Sequence, residues 1–536
     1  MPSKAHLNQA IVSHLIEMKA DDKPDQEILV FENGDAEADR VTYRQLFEQS
    51  NKVARLFLDA GMTKGDTYAL FMRNHAEFVY GMLAGPVIGA IMVPIDPRSR
   101  GERLRFLLEH SGVKTVIVSD ELLPQLEAVL PRTAGVKHVF VVWRKAHGLP
   151  VPAAYPVLNE TLEKDAWETV PQQIMDVRHP MQIIYTSGTT GDPKGVMIRN
   201  NRFGVFNIVT KLVWKYTPKD VLYTGLSLTH GNAQAVTLFP ALGAGIPAVF
   251  SARFTKSRIW DICRTYGCTS FSLLGGMMAG IFNEPPREDD GDNPVRIVIS
   301  AGTPASIWED FERRFDLKIL EWYGAVEGGF AYKPPGVGPV GSFGKPIPGM
   351  MAFRVVDDSD QDTAPGQPGE LICRMMKGET TVDYLGNTQA SEDKTRGGWL
   401  RTGDIVTRDE KGWYFFCHRK GSALRRAGDF IQPDHIERVL GALADVSEVC
   451  VYGVPAASGA PGESDLVAAL SPFPGHRIDP AEIFDACRRA LEPNYIPSYL
   501  QVVDEIPKTI SEKALDRELR EQFAPDAPNV FSSDTA

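Results

Sequence analysis

The stretch Ile183-Ile-Tyr-Thr-Ser-Gly-Thr-Thr-Gly-Asp-Pro-Lys-Gly-Val196 joins an apolar segment to a loop of small, hydroxylic and glycine residues. Its first residues, Ile183 to Tyr185, predict the end of a β-strand. In the loop, glycines let backbone N–H groups approach an anion, hydroxyls donate hydrogen bonds, and Lys194 supplies a positive charge. The spacing is not that of the G-x-x-x-x-G-K-[ST] phosphate loop, because Asp192 and Pro193 precede the lysine. Composition alone favours a polyphosphate site over an ordinary surface turn rich in Gly and Thr.

Helix and strand patterns alternate on both sides of this stretch. Before it, Val41 to Ser119 contains an amphipathic helix that ends at Gly61, a strand from Thr67 to Met72, and a further helix and strand. After it, short apolar runs between Val221 and Leu320 predict a series of strands with helices between them. Such alternation is typical of βαβ units and a mostly parallel sheet. We therefore expect an α/β fold in which two related α/β subdomains pack together.

The composition and the hydrophobic pattern of the sequence change near Gly338 and again near Gly421. Between these points, frequent Gly and Pro and short apolar runs predict a small β-barrel, and a compact α+β segment follows. Because 536 residues are too many for one core, we expect a large N-terminal domain, residues 1–420, and a small mobile C-terminal domain, residues 421–536. The polar tail after Phe523 is expected to be disordered.

Composition and charge limit the possible partners. The formal net charge is −12, which argues against a nucleic-acid surface because such a surface needs a basic face. The six cysteines form no C-x-x-C pair and the N-terminus lacks a secretory signal pattern, so a reduced cytoplasmic protein is expected. Phe78 to Ile95 is apolar and long enough to be considered as a membrane span. Gly85 and Pro86 interrupt it, which favours a buried helix followed by a buried strand, and no membrane span is expected.

Four further segments follow the glycine-rich loop along the chain: Trp322-Tyr-Gly-Ala-Val-Glu327, Trp399-Leu-Arg-Thr-Gly-Asp404, Arg419 to Glu437, and Pro507-Lys-Thr-Ile-Ser-Glu-Lys513. Together with Tyr185 to Val196, they resemble, in the correct order, the motifs of the adenylate-forming superfamily. That superfamily contains acyl-CoA synthetases, the adenylation domains of peptide synthetases and luciferases. The stretch Leu424-Arg-Arg-Ala-Gly-Asp-Phe-Ile431 looks most like carnitine/crotonobetaine-type CoA ligases. The resemblance implies an AMP-forming ligase that uses ATP, Mg²⁺ and CoA.

The resemblance also implies roles for individual residues. Catalytic roles fall to two lysines that neutralise phosphate charge, to a glutamate that holds Mg²⁺, and to a histidine near the substrate carboxylate: Lys194, Lys513, Glu327 and His230. Nucleotide and CoA binding is expected at Thr186, Ser187, Gly188, Thr189, Thr190, Gly302, Thr303, Pro304, Tyr323, Gly324, Asp404, Arg419 and Gly428. The acyl pocket is expected at His230, Gly275, Trp322 and Gly324, and the interdomain hinge at Lys420 and Gly421.

The implied reaction begins with attack of a carboxylate on the α-phosphate of ATP, which releases pyrophosphate and leaves an acyl-adenylate. The acyl group then passes to CoA, and the alternative is a stand-alone adenylation enzyme that loads the phosphopantetheine of a carrier protein. Trp322 replaces a residue that is often glycine in relatives with aromatic substrates, which favours a short or compact acid. A homodimer is possible, and no nucleic-acid partner is expected.

Four positions depart from the family pattern. Val326 replaces a threonine, so one hydroxyl near the phosphate is absent, and Glu512 places a negative charge beside Lys513. His435 stands where a glutamate is usual, and Gly421 occupies the hinge position, where its backbone freedom is compatible with a hinge. None of these changes removes an expected core ligand, and together they suggest a divergent branch.

Overall fold

The computed structural model describes residues 7–34, 36–186, 193–420, 424–426, 429–431, 433–457, 464–491, 493–509 and 514–533. The chain divides into two compact units, which are described separately below: Met1–Gly341 with Gly378–Leu400, and Ser342–Lys377 with Arg401–Ala536. These compact units do not divide at the predicted domain boundary between residues 420 and 421, which stays a prediction.

The first unit contains most of the helices and two twisted sheets. Its helices are α1 Val12–Asp22, α2 Tyr43–Asp59, α3 Ala76–Ile88, α4 Gly101–His110, α5 Leu123–Glu127, α6 Leu158–Leu162, α7 Asn201–Val209, α8 Phe239–Ala244, α9 Ile259–Tyr266, α10 Gly275–Phe282, α11 Trp308–Phe315 and α12 Thr388–Lys394. Its strands are β1 Glu27–Asn33, β2 Ala36–Thr42, β3 Thr67–Phe71, β4 Ile91–Pro94, β5 Val113–Ser119, β6 His138–Val142, β7 Pro180–Thr186, β8 Lys194–Arg199, β9 Leu222–Thr224, β10 Ala248–Ser251, β11 Ser270–Leu274, β12 Ile297–Ala301, β13 Lys318–Gly324 and β14 Phe330–Lys333.

The two sheets of the first unit repeat one plan, as expected for related α/β subdomains. The six-stranded sheet has the order β6-β5-β3-β4-β7-β8, parallel except for the β7–β8 hairpin at one edge. Within this unit, the larger sheet has the order β14-β13-β12-β11-β9-β10-β1-β2. It is parallel from β13 to β1, and antiparallel pairs close its two ends. The glycine-rich loop follows β7, and the loop that carries Glu327 follows β13, so the two loops occupy equivalent edge hairpins.

Strand β3 has apolar layers on both of its faces. Tyr68 and Leu70 belong to a core that includes α3 and reaches the larger sheet, whereas Ala69 and Phe71 belong to a second core that includes residues of α4 and α5. Successive side chains of a strand point to opposite faces. Helices α3 and α5 therefore lie on opposite sides of the six-stranded sheet.

Helix α3 and strand β4 contain the apolar stretch that had the length of a membrane span. A side chain at Gly81 would meet Leu70 Cδ2 at 2.7 Å, and one at Gly85 would meet the ring of Tyr68. These glycines therefore allow α3 to lie directly against β3. The predicted buried helix and buried strand are confirmed, and no helix among the described residues is both long and apolar enough to cross a membrane.

In its described residues, the second unit contains short sheets and three α-helices. Its helices are α13 Pro433–Leu440, α14 Pro480–Ala490 and α15 Asp516–Gln522. Its strands are β15 Lys345–Pro346, β16 Met351–Val356, β17 Gly369–Met375, β18 Leu400–Arg408, β19 Tyr414–Arg419, β20 Leu424–Arg426, β21 Asp429–Ile431, β22 Val446–Pro455, β23 Ser464–Pro472, β24 Tyr499–Val502 and β25 Val530–Ser532. They form the sheets β16-β17-β18-β19 and β22-β23-β24-β25 and the hairpin β20-β21.

The expectation of a disordered tail after Phe523 is wrong for the described part of that tail. Strand β25 pairs antiparallel with β24 and extends its sheet, and Val530 is buried. The Asn529 side-chain amide donates to the Val502 carbonyl at 2.9 Å. One apolar and one aromatic residue, Val530 and Phe531, in an otherwise polar tail are enough to form an edge strand, because the sheet supplies the backbone partners.

Candidate functional site

The β7–β8 hairpin holds the two ends of the glycine-rich loop. Thr186 pairs with Lys194 across the hairpin, and the Thr186 hydroxyl oxygen lies 3.5 Å from the Lys194 carbonyl oxygen. A side chain at Gly195 would meet Ile183 Cγ2 at 2.8 Å, so glycine allows the hairpin to close at this point. The rest of the predicted phosphate contacts lie outside the described residues: Ser187, Gly188, Thr189 and Thr190.

A tyrosine that no motif indicated, Tyr384, lies between the two predicted catalytic residues Lys194 and Glu327. The Lys194 ammonium lies 5.3 Å from the centroid of the Tyr384 ring, and the Tyr384 hydroxyl donates to Glu327 Oε1 at 3.0 Å. The chain reaches this place because Tyr384 forms an antiparallel bridge with Val196 of β8. Sequence reasoning missed Tyr384 because a lone aromatic residue in a short irregular stretch carries no local signal.

Arg202, near the start of α7, is a further cation close to Glu327. Arg202 Nη2 donates to the Val326 carbonyl at 2.6 Å. Burial lowers the pKa of Arg202 below its usual value, and the charge of Glu327 opposes that shift. Two cations and one carboxylate therefore lie around the β13–β14 turn. Such a set suits a polyphosphate bound together with a hard dication, because Mg²⁺ is usually held by one or two carboxylates and the phosphates themselves.

The predicted nucleotide loop Gly302-Thr-Pro304 follows β12 and is held by Glu321, which the sequence analysis did not select. Glu321 accepts hydrogen bonds from the Gly302 N–H at 2.6 Å and from the Thr303 N–H at 3.3 Å. Thr303 Oγ1 also lies 2.5 Å from Glu321 Oε2 and 2.7 Å from Ser300 Oγ. Burial raises the pKa of Glu321 to about 8, although the bonds from Thr303 and Gly302 lower it. This buried carboxyl therefore sets the conformation of the loop and is mostly protonated at neutral pH.

The predicted pocket glycine Gly275 lies directly against this loop. A side chain at Gly275 would clash with the Gly302 carbonyl oxygen, so the first turn of α10 approaches the loop without a side chain between them. Gly302 itself has φ = +77°, a left-handed conformation that favours glycine. The structure thus brings Gly275 and the Gly302–Pro304 loop together, as predicted for the edge of a nucleotide and acyl pocket.

Trp322 lies in a cluster of three buried aromatic rings. Its ring centroid lies 5.7 Å from that of Trp214, edge to face, and 5.7 Å from that of Phe330, stacked. A side chain at the exposed Gly324 would meet Trp322 Cζ3 at 2.8 Å. The predicted pocket residues Trp322 and Gly324 are therefore in contact, and Tyr323 between them is half-buried.

His230 follows β9 and is a neutral imidazole at physiological pH. Burial lowers its pKa to about 4, because the charged form is disfavoured away from water. Its Nδ1 accepts a hydrogen bond from the Asn232 N–H at 3.2 Å. In the neutral ring the proton therefore resides on Nε2, which leaves His230 able to donate one hydrogen bond to an anion.

In the second unit, the structure pairs the two residues predicted to bind the ribose. Asp404 and Arg419 lie opposite each other in the β18–β19 pair, and Arg419 Nη1 donates to Asp404 Oδ1 at 2.8 Å. Arg419 also donates to the Thr402 carbonyl at 3.1 Å. The predicted hinge residue Lys420 donates to Asp358 and Glu370. Three predicted residues lie outside the described part of the chain: Gly421, Gly428 and Lys513.

Two family models match the chain. The model described as AMP-binding enzyme matches residues 16–378, and the model described as AMP-binding enzyme C-terminal domain matches residues 435–513. The first match covers the glycine-rich hairpin, Glu327 and the Gly302–Pro304 loop. The second reaches the predicted C-terminal lysine.

Relatives and solved structures of similar length match nearly the whole chain. A crotonobetaine/carnitine–CoA ligase of Salmonella heidelberg (strain SL476) is 24% identical over 511 residues, which are 92% of this chain and 96% of the relative. The structure of the anthranilate CoA ligase AuaEII with anthranoyl-AMP has a TM-score of 0.82 at 22% identity, over 96% of this chain and 97% of that one. A benzoate CoA ligase from Burkholderia xenovorans LB400 has a TM-score of 0.81 at 21% identity, over 95% and 99%. The α/β architecture with a smaller C-terminal part is therefore shared with these structures.

Proposed function

Because the chain belongs to the AMP-binding enzyme family, we propose that it is an ATP-dependent, AMP-forming acyl-CoA ligase. The observation that carries the proposal is the group Lys194, Tyr384 and Glu327 at the foot of the glycine-rich hairpin. A cation and a hard oxygen ligand in one group suit the phosphates of ATP together with Mg²⁺, which supports the proposal. The names of the relatives, which are CoA ligases of carboxylic acids, support CoA as the acceptor.

In the first half-reaction, a substrate carboxylate oxygen bonds to the α-phosphorus and the bond from that phosphorus to the bridging oxygen breaks. Pyrophosphate leaves, and no proton has to be removed. The residues therefore act by alignment and charge neutralisation. Lys194 lies toward the phosphates, and the Nε2–H of His230 donates to the substrate carboxylate. Glu327 would hold Mg²⁺, which would supply further charge neutralisation on the phosphates.

The second unit contributes the nucleotide and thiol steps in this proposal. Asp404, already oriented by Arg419, accepts hydrogen bonds from the ribose hydroxyls, and Lys513 brings a second cation to the α-phosphate. Motion about Lys420 and Gly421 then exchanges Lys513 for the CoA-binding segment near Gly428. The CoA sulfur bonds to the acyl carbon, AMP leaves with the electrons of the broken acyl–oxygen bond, and the thiol proton passes to solvent.

The acid is proposed to be short or compact. Trp322, with Trp214 and Phe330, forms a rigid aromatic wall beside Gly324, and well-packed rings move little to admit a long chain. The relatives named for carnitine, anthranilate and benzoate also act on compact acids. We expect higher kcat/KM with C3–C6 or small aromatic acids than with palmitate. A higher kcat/KM with palmitate would refute this part of the proposal.

The decisive experiment measures pyrophosphate and AMP release for a panel of carboxylic acids, with and without CoA. Acid-dependent pyrophosphate release with AMP release accelerated by CoA is expected. Adenylation without any effect of CoA, but with acceleration by a phosphopantetheinylated carrier protein, would support the alternative function. ATP hydrolysis independent of any acid would refute both.

Location and assembly are further parts of the proposal. The six cysteines, all among the described residues, are free thiols, which is compatible with the proposed reducing cytoplasm. A homodimer is the proposed assembly. Sedimentation velocity on the purified chain tests it, and a monomer at micromolar concentration would overturn it.

A further inference from the structure

Three metal-ligating side chains converge at one end of the six-stranded sheet, outside the proposed active site. His75, Glu121 and His147 each offer a ring nitrogen or a carboxylate oxygen, and these atoms all lie within 4.8 Å of one another. We propose that they form a binding site for a transition-metal dication of the Zn²⁺ class. Two imidazole nitrogens and one carboxylate oxygen are a ligand set that Zn²⁺ accepts, with a water in the fourth position.

The topology of the sheet places this site where α/β proteins usually bind ligands. His75 follows β3, Glu121 follows β5 and His147 follows β6, and these three parallel strands are neighbours. From β3 the chain continues through α3 to β4 on one side, whereas from β5 it continues through α5 to β6 on the other side. The direction of the connections therefore reverses between β3 and β5, and the carboxyl ends of the strands at such a point are the general position of ligand sites in these sheets.

The buried side chain of His75 is the member of this group that most needs a binding partner. Its side chain is buried, with 2% of its surface exposed, and neither ring nitrogen has a hydrogen-bond partner among the described residues. A buried polar group without a partner costs free energy. A metal ion bound to one of the ring nitrogens would remove that cost, and ligand atoms of Glu121 and His147 lie within 4.8 Å of a ring nitrogen of His75.

His147 has the carboxylate partner that metal-ligating histidines usually have. Its Nδ1 lies 2.5 Å from Asp120 Oδ1, and the Asp120 carboxylate is itself buried and accepts from the backbone N–H groups of Glu121 and Arg144. A carboxylate on one ring nitrogen fixes the tautomer and directs the other nitrogen toward the metal. Asp120 is therefore a positioning residue of the proposed site.

The charged groups around the three ligands have a net negative charge that a dication would balance. Arg73 bonds to Glu121 at 2.9 Å, and Arg144 bonds to two carboxylates at 2.8 and 3.0 Å. With neutral imidazoles, two guanidiniums face four carboxylates, and the excess of two negative charges matches one divalent ion: Arg73 and Arg144 against Asp39, Glu77, Asp120 and Glu121.

Binding requires only a small adjustment. Metal–ligand distances of about 2.0–2.2 Å place tetrahedral donors roughly 3.3 Å apart, so side-chain rotations that shorten the longest separation by about 1.5 Å complete the site. His147 and Glu121 are partly exposed, which provides the entry path. The ion would join three loops of this sheet. It would also stabilise the attachment of this loop to the larger sheet, because the side-chain amide of Asn74, next to His75, donates to the Leu226 and Ser251 carbonyls.

Zinc binding to the full-length, chelator-treated chain tests the proposal. Competition with a chromophoric chelator measures the affinity for Zn²⁺, and Co²⁺ replacement reports tetrahedral geometry through its visible absorption. One Zn²⁺ per chain is expected, with a rise in the thermal unfolding midpoint. His147→Ala and Glu121→Gln should weaken binding at least 100-fold, and Asp120→Asn by about 10–100-fold. His75→Ser should also abolish the site without loss of folding, because serine is a favourable residue at this N-cap of α3.

The matched control is His476→Ala. His476 Nδ1 bonds to Asp445 at 2.7 Å, as His147 bonds to Asp120, but no third ligand completes a group there among the described residues. This variant should bind Zn²⁺ as the wild type does. Wild-type protein that binds no stoichiometric Zn²⁺, or equal affinity in the wild type, His147→Ala and Glu121→Gln, would overturn the proposal. Neither outcome bears on the acid-dependent release of pyrophosphate.

Discussion

Replacing Tyr384 with phenylalanine removes one hydroxyl and keeps the ring beside which the Lys194 ammonium lies. The contact that is lost is the 3.0 Å hydrogen bond to Glu327 Oε1, and the contact that remains is the 5.3 Å approach of Lys194 to the ring. A hydrogen bond to a charged group contributes about 1.5–3 kcal/mol. The Tyr384 side chain is buried, but Glu327 is partly exposed to solvent, so the lower end applies. About 1.5 kcal/mol corresponds to roughly a tenfold change in rate.

The assay is pyrophosphate release with a saturating acid, measured as kcat/KM for ATP over a range of Mg²⁺ concentrations. We expect Tyr384→Phe to lower kcat/KM about tenfold and to raise the Mg²⁺ concentration for half-maximal rate, because Glu327 loses the group that orients it. Tyr384→Ala also removes the cation–π contact, which contributes about 0.5–1 kcal/mol at a partly exposed site. Its rate should therefore fall a further two- to fivefold.

The control is Tyr155→Phe. Burial and the charge of a nearby glutamate, Glu127, raise the pKa of Tyr155, which lies in a part of the first unit that carries none of the proposed active-site residues, so this variant should retain wild-type activity. Full kcat/KM at limiting Mg²⁺ in Tyr384→Phe, alongside a large loss in Glu327→Gln, would refute the proposed role of the hydroxyl. Equal losses in the two phenylalanine variants would assign the effect to stability instead.

Three further predictions address other parts of the site. Lys513→Ala should lower the rate of adenylation 100-fold or more, which corresponds to about 2.7 kcal/mol in the activation free energy. Near-normal ATP–pyrophosphate exchange in this variant would refute the catalytic role of Lys513. Because the pKa of Glu321 is raised to about 8, the neutral Glu321→Gln should keep kcat/KM within about threefold of the wild type at pH 7. Glu321→Leu removes the hydrogen-bonding group, so it should raise KM for ATP and lower the free energy of unfolding in urea by about 1–3 kcal/mol. The pKa of His230 is lowered to about 4 in the folded protein, whereas in the unfolded chain the imidazole takes up a proton as the pH falls below about 6.5. The free energy of unfolding should therefore decrease by about 1–2 kcal/mol between pH 7 and pH 5. His230→Asn should lack this contribution, and identical pH dependence of urea unfolding in both proteins would contradict it.

Local pattern was sufficient for the architecture. The alternation of helix and strand signals predicted the two α/β halves, because periods of 3.6 and 2 residues reflect which faces a helix or strand buries. The same reasoning decided correctly between a membrane span and a buried helix for Phe78 to Ile95, since glycines and a proline mark close packing rather than exposure to lipid. It failed for the tail after Phe523, where a polar composition conceals the short edge strand at Val530.

The candidate site was predictable only where a residue lies in a contiguous motif. Lys194 and Glu327 belong to such segments, and the structure places each at the end of a strand or hairpin. Tyr384 and Glu321 were not predicted. Their roles arise from contacts with residues far away in the chain, and a single tyrosine or buried glutamate gives no periodic or compositional signal.

The amino-acid sequence by itself determined the fold class and the glycine-rich loop Tyr185 to Val196, because short-range geometry and backbone freedom are encoded in neighbouring residues. The tertiary structure alone decided which side chains meet. Pairing with β8 brings Tyr384 between Lys194 and Glu327, and three parallel strands bring His75, Glu121 and His147 to one edge. The physical reason is the same in both cases, since strand order and register bring distant loops together and no local pattern in the chain records that order.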